Sequence, residues 1–358
     1  MPFLTPEKIL EQLKSVVDPA QGKVSGVSVE EGKVVFSIEI DPAREKELEP
    51  LRKAAQAAVE KMPGAGSVLA ILTAEKNAPP PPPPPKQPLH KISQRPVAPR
   101  VRHIIAVASG KGGVGKSTVS ANLAQAFAAM GKKTGLLDAD IYGASQPRMM
   151  GIRLRPETNA DDMIIPPVMH GIKLMSMGFF VEETAPVIWR GPMVHTAIQQ
   201  LFRDVEWGEL DMLVVDLPPG TGDAQLSLAQ YVPLSGAVIV STPQDVALSE
   251  AKKGLFMFQK VKVPVLGLIE NMSYHLCANC GHREDIFNHG GVRLAAEKLG
   301  VAFLGEIPLH IDIRKAADSG TPLVAAQKDH PVSEIYKNIA SRIWMALPAE
   351  KTVPKAPR

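Results

Sequence analysis

Ser109-Gly110-Lys111-Gly112-Gly113-Val114-Gly115-Lys116-Ser117-Thr118 decides how the rest of the chain reads. An apolar run, His103 to Ala108, precedes it, and an alanine-rich amphipathic segment, Val119 to Met130, follows. The order is therefore strand, glycine loop, helix, and the loop fits the phosphate-loop template of Gly110, four residues, then Gly115-Lys116-Ser117. Each residue type has a reason to be there. Glycines let backbone N–H groups wrap around phosphate oxygens, and the helix N-terminus beyond adds a positive dipole end. Lys116 is placed to reach the β- and γ-phosphates and Ser117 to hold Mg²⁺. The whole run Gly110, Lys111, Gly112, Gly113, Val114, Gly115, Lys116, Ser117 and Thr118 is the expected phosphate cradle.

Moving outward, short and nearly continuous apolar runs alternate with helical segments. The runs are Lys133–Leu137, Ile172–Ser176, Asp211–Asp216, Ala237–Ser241, Val265–Ile269 and Phe303–Ile307; the helices are Val194–Arg203, Ala224–Val232, Ser249–Val261, Val292–Leu299 and Val332–Met345. Runs of this kind suit strands buried on both faces, and the alternation predicts a mostly parallel, doubly wound α/β sheet over residues 101–346. Residues 1–75 read as a small α/β domain: a helix opening at Thr5-Pro6, strands Val24–Val29 and Val34–Ile40, a helix Glu45–Lys61 and a strand Ser67–Thr73. Between the two lies a linker, residues 76–100, with seven consecutive prolines at Pro79–Pro85. It suits a stiff polyproline II spacer or, alternatively, a ligand for a proline-recognition domain. A polar tail covers 347–358.

The totals narrow the class. A net charge of +3 on 358 residues gives no electrostatic argument for nucleic acid, and 45% hydrophobic residues support a sizeable core. There is no secretory signal pattern at Met1-Pro2-Phe3-Leu4 and no apolar run long enough for a membrane span, so a cytoplasmic protein that binds neither membrane nor nucleic acid is expected.

In open α/β sheets ligands bind where the strands end, and the polar residues cluster there. Asp138-Ala139-Asp140-Ile141-Tyr142-Gly143 follows one strand, with Asp138 suited to the Mg²⁺ shell and Asp140 to positioning an attacking water; an acid pair capping the next turn is the plainer alternative. Met212-Leu213-Val214-Val215-Asp216 is a strand ending in an acid, the Walker B pattern whose Asp holds Mg²⁺. Pro218-Pro219-Gly220-Thr221-Gly222-Asp223 comes next, with Gly220 placed to offer its N–H to the γ-phosphate. Asn271, after Ile269-Glu270, suits an adenine edge. The only two cysteines, Cys277 and Cys280, make a Cys-x-x-Cys pair. Two thiolates are an incomplete tetrahedral site. A homodimer could join two pairs around a 4Fe–4S cluster, His275 and His282 could complete a zinc site, or the pair could cycle between dithiol and disulfide.

Lys111 is a second lysine that a generic phosphate loop does not need. The run Lys111 to Ser117 resembles the deviant Walker A loop of the MinD/ParA/nitrogenase iron-protein class, in which this lysine reaches across a dimer to the other nucleotide. Ile307-Pro308-Leu309 resembles the second base-side turn of the same class. Taken with Asp138-Ala139-Asp140-Ile141-Tyr142-Gly143, Asp216 to Asp223, and Asn271-Met272-Ser273 with Cys277 and Cys280, the chain resembles the Mrp/ApbC iron–sulfur cluster carriers over about residues 100–345. The resemblance implies a homodimer that binds ATP and Mg²⁺, hydrolyses ATP slowly, carries a 4Fe–4S cluster on Cys277 and Cys280, and delivers it to apo-proteins, with upstream scaffold proteins as further partners. Lys111, Lys116 and Asp140 are then the expected catalytic set. Residues 1–75 resemble the domain that often precedes this ATPase but lack the reactive cysteine its members often carry, so a docking or regulatory module is expected. Arg190-Gly191-Pro192-Met193 is a candidate for the dimer face. The rival readings are a MinD/ParA-like positioning ATPase, against which the tail Pro348 to Lys355 offers no amphipathic helix, and a nucleotide switch with a structural zinc. Asp216 to Gly220 and Asn271 to Cys280 are expected on neighbouring strand ends, which would couple nucleotide to cluster.

Overall fold

The structure, a computed structural model, describes residues 5–18, 22–30, 33–40, 44–74, 95–141, 143–180, 191–277 and 279–349. The proline run, Tyr142, Arg190, Ala278 and the tail beyond Ala349 lie outside the described residues, and with them the spacer reading and part of the proposed dimer face. The chain divides into two compact units, Met1–Leu89 and His90–Arg358.

The first unit comprises α1 (Pro6–Lys14), β1 (Lys23–Glu30), β2 (Lys33–Ile40), α2 (Glu45–Glu60) and β3 (Ser67–Ala74). β1 and β2 pair antiparallel, and β2 and β3 parallel. Alternation along β2 and β3 puts Val34, Phe36, Ile38, Val68 and Ala70 into the core with Ile9 and Leu13 of α1 and Ala55 and Val59 of α2. The opposite positions Val35, Leu69 and Ile71 are exposed.

The second unit opens with β4 (Val101–Ser109), α3 (Lys116–Ala129), β5 (Thr134–Asp138), α4 (Gln146–Met149), β6 (Val168–Met169), β7 (Ile172–Ser176), α5 (Gly191–Arg203), β8 (Leu210–Asp216) and α6 (Asp223–Tyr231). It continues through β9 (Gly236–Ser241), α7 (Asp245–Lys260), β10 (Val265–Leu276), β11 (Arg283–Glu284), α8 (Gly291–Leu299), β12 (Phe303–Leu309), α9 (Ile311–Asp318), α10 (Leu323–Ala326) and α11 (Pro331–Ala346). The sheet runs β11-β10-β9-β4-β8-β5-β7-β6, with β12 also on β10. From β7 to β12 every pairing is parallel; only the two-residue β6 and β11 run antiparallel. This is the expected doubly wound sheet. β4 lies in the middle, with every residue but Arg102 buried, so the glycine loop leaves the centre of the carboxyl edge. α3, α10 and α11 form one helical layer, and α5, α6, α7 and α8 form another.

Two expectations change. The strand expected to stop at Ile269 continues to Leu276. The apolar run stops at Ile269, but the polar residues beyond it find partners inside the sheet: Glu270 accepts from the Ser273 hydroxyl at 2.5 Å and from the Gly290 and Val292 amides at 3.0 and 2.8 Å. Nor do Asp216 and Asn271 end neighbouring strands, because β4 and β9 stand between β8 and β10. Asn271 does touch the glycine loop, through the Val114 carbonyl.

Candidate nucleotide site and cysteine knuckle

The loop is held from both sides by close backbone approach. A Cβ on Gly110 would collide with the Glu250 backbone of α7. Gly115 has φ +81°, and a Cβ there would strike the Asn271 amide, which donates to the Val114 carbonyl at 2.8 Å. These contacts leave Gly112 and Gly113 exposed at the mouth, where backbone N–H groups can meet a ligand. Lys111 is half-buried and donates to Gln244 Oε1 at 3.2 Å within its own chain.

Beneath the loop lies a buried polar cluster. Lys116 Nζ sits 2.6 Å from Asp216 Oδ1, 4.0 Å from Asp140 Oδ2 and 3.2 Å from Ser117 Oγ. Ser120 Oγ also donates to Asp216 Oδ1, at 2.8 Å. The amide nitrogen of Gln146 donates to Asp216 Oδ2 and to the Ser117 carbonyl, both at 2.9 Å. The cluster therefore brings Lys116, Ser117, Asp140 and Asp216 together as expected positions, and adds Ser120 and Gln146, which the motifs do not mark.

Asp138 and Asp216 are register partners on β5 and β8, so two buried carboxylates end on neighbouring strands. Burial first, and then the Asp216 charge, push Asp138 up to about 7. Its oxygens are engaged by the loop that follows: Oδ1 accepts from the Asp140 amide at 3.1 Å, and Oδ2 from the Ser145 and Gln146 amides at 3.1 Å each and from Ser176 Oγ at 3.0 Å. Asp138 thus organises the segment carrying Asp140 and Gln146, close to the capping alternative. Gly220, at φ +96°, gives its N–H to the Ser109 carbonyl at 3.0 Å, so reaching a phosphate requires that bond to exchange.

Beside Gly115 and Thr118 opens a cavity of about 450 Å³, also lined by Asn271, Met272, Pro308 and His310. It begins where the loop ends, has mostly apolar walls, and places Asn271 and Pro308 together. A nucleoside fits such a space.

Past Asn271, β10 runs on to the cysteines. His275 and Leu276 pair with Glu284 and Arg283 of β11, and the turn between is tied by Cys277 N–H to His282 O at 2.9 Å and Gly281 N–H to Cys277 O at 2.8 Å. Both cysteines are free thiols, Cys277 half-buried and Cys280 exposed. Hydrogen bonds from the Cys280 and Asn279 backbone amides, then from the Cys280 thiol, hold Cys277 below the usual thiol range. Among the described residues, the groups of three or more His, Cys, Asp or Glu side chains that converge on a common point are His310–Asp312–His330 and Glu270–His289–Glu306. Neither group contains a cysteine, His275 or His282.

Strand, phosphate loop and helix, with acids at adjacent strand ends, define a P-loop nucleotide-binding α/β protein. The family model described as NUBPL iron-transfer P-loop NTPase matches residues 100–344, and one described as iron-sulfur cluster assembly protein matches residues 6–70. The chain belongs to the NUBPL iron-transfer P-loop NTPase family. It is 54% identical over 252 residues to the mouse iron-sulfur cluster transfer protein NUBPL, covering 70% of this chain and 79% of that one. It is 50% identical over 256 residues to the iron-sulfur cluster carrier protein of Escherichia coli K12, covering 71% and 69%. Among solved structures, a nucleotide-binding protein from Archaeoglobus fulgidus in complex with ADP superposes with a TM-score of 0.57 at 39% identity, covering 66% of this chain and 91% of that one. Among the described residues no helix is long and apolar enough to cross a membrane.

Proposed function

We propose that this protein is an ATP-hydrolysing carrier that holds a 4Fe–4S cluster between two copies of itself and hands it to apo-proteins. One observation carries the reading: an exposed knuckle presents Cys277 and Cys280 without a third ligand from the described chain, at the end of the strand that braces the phosphate loop. A cubane cluster takes four thiolates, so two knuckles facing each other across a two-fold axis satisfy it. The low position of the Cys277 thiol supplies the thiolate such a cargo needs.

In this reading the loop amides, Lys116 and Thr118 bind the phosphates, and the base enters the cavity beside Asn271 and Pro308. The residues fit Mg²⁺: Ser117 offers a hydroxyl and Asp216 a carboxylate 100% removed from solvent, next to an acceptor of Gln146 that no described residue pairs. Mg²⁺ there neutralises phosphate charge. Asp140, beside Lys116, orients a water for attack. Lys111 leaves Gln244 for the nucleotide of the other copy, where its charge stabilises phosphoryl transfer. Exchange of the Gly220–Ser109 bond for a phosphate contact gives the loop an ATP-sensing state.

Anaerobic reconstitution with iron and sulfide tests the proposal. The intact protein should take up about two irons per chain with absorbance in the sulfur-to-iron charge-transfer region, and Cys277→Ala/Cys280→Ala should take up neither. Zinc without an iron chromophore would replace the carrier with a nucleotide switch.

A further inference from the structure

Gln146 has a side chain that the phosphate-loop motifs do not account for. It is fully buried, and its nitrogen is wedged between two groups that can only accept, the Ser117 carbonyl and Asp216 Oδ2. That settles which end of the amide is which, since the flipped rotamer would set its oxygen against a carbonyl and a carboxylate. The oxygen Oε1 then has no hydrogen-bond partner among the described residues, although it is shielded from solvent. Leaving a buried carbonyl unpaired is costly, on the order of 1–3 kcal/mol, so such an atom is a sign that something outside the chain supplies a donor.

The surroundings narrow what the donor is. Asp216 Oδ1 is already taken by Lys116 and Ser120, and Oδ2 by Gln146 itself. The residue is also anchored twice, through its side chain to Ser117 and Asp216 and through its backbone N–H to Asp138 Oδ2. Its oxygen belongs to the same rigid planar amide as the nitrogen that touches Asp216 and the Ser117 carbonyl, so it lies one amide's width from the Ser117–Asp216 pair. Mg²⁺ gives up its waters reluctantly and is usually held by one or two protein ligands plus water, and a metal-bound water is a strong donor.

We infer that Gln146 is a positioning residue for the metal: its Oε1 accepts from a water of the Mg²⁺ shell while its nitrogen holds Asp216 and the Ser117 backbone. The inference rests on the proposed Mg²⁺–nucleotide site. It makes the segment after β5 a metal-sensing element through Gln146 as well as through Asp140.

The test is the gain in affinity that Mg²⁺ confers, read as the Kd for fluorescent ADP in EDTA divided by its Kd in Mg²⁺, on the full chain. Gln146→Leu should reduce this ratio by about ten- to a hundredfold, the worth of one charge-assisted hydrogen bond. Gln146→Glu keeps an acceptor for the metal-bound water but sets its other oxygen against the Ser117 carbonyl and Asp216, so its Kd in EDTA should rise while Mg²⁺, which relieves that charge, keeps the ratio at or above that of the unmodified protein. A purely structural role through the nitrogen would make both variants lose it alike, which would overturn the inference, as would a wild-type ratio in Gln146→Leu. Should Gln146→Leu fail to fold, loss of the gain in Gln146→Glu still refutes it and retention supports it. No Mg²⁺-dependent gain in the unmodified protein would remove the metal–nucleotide reading itself.

Discussion

Asn271 Nδ2 donates to the Val114 carbonyl at 2.8 Å, so the strand that ends beside Cys277 is hydrogen-bonded to the phosphate loop. The same amide blocks any side chain at Gly115. Asn271→Ala should weaken ATP-analogue binding about five- to tenfold through a looser loop, and Asn271→Asp, which sets an acceptor against the carbonyl, should weaken it further. Gly115→Ala should be worse than either, because it adds strain at φ +81° to the collision. Fluorescence titration orders the variants; equal affinities would show that the bond does not shape the loop.

Lys116 and Asp216 are a buried pair, and removing one partner strands the other. Lys116→Met should lower unfolding stability by about 3–5 kcal/mol, and Lys116→Met/Asp216→Leu should recover much of that loss while remaining unable to bind nucleotide. Urea unfolding of the two single variants and the double variant measures the coupling. Additive losses would refute it.

Asp138 sits far above its unfolded value, at about 7. The folded state therefore binds this proton more tightly than the unfolded state. The sign follows: its contribution is greatest below about pH 4 and is lost as pH rises through 7, with a slope of up to about 1.4 kcal/mol per pH unit in between. Denaturant unfolding between pH 5 and 8 should show a declining component that Asp138→Asn removes. The same slope in both proteins would assign it elsewhere.

Cys277 owes its acidity to the turn, through the Cys280 and Asn279 amides. In metal-free protein its alkylation, followed by peptide mass mapping, should have a pH midpoint below the ordinary thiol value of about 8.5, and denaturant should return it there. A midpoint that denaturant does not move would mean the amides do not hold the thiolate.

Much of this was legible in the residues taken in order. Short apolar runs alternating with amphipathic ones are a local signal, and they marked every strand of the sheet but the two-residue β6 and β11, and every helix around it but α4, α9 and α10. The motif Gly110 to Ser117 carried its own structural context, so the cradle needed no coordinates. The strand expected to end at Ile269 runs on to Leu276, because the polar side chain of Glu270 is satisfied by partners at the start of α8 that lie far off in sequence.

What the sequence by itself determined is the chemistry present: a phosphate loop, two acids after one strand, an acid ending another, and two thiols two residues apart. What only the tertiary structure decided is who faces whom. Burial, and then register against Asp216, raised the proton affinity of Asp138; crossover connections put β4 and β9 between Asp216 and Asn271; packing brought Gln146 against the Ser117 carbonyl with one atom unpaired among the described residues. These are long-range relations, set by strand order and side-chain burial, and no local pattern of residues encodes them.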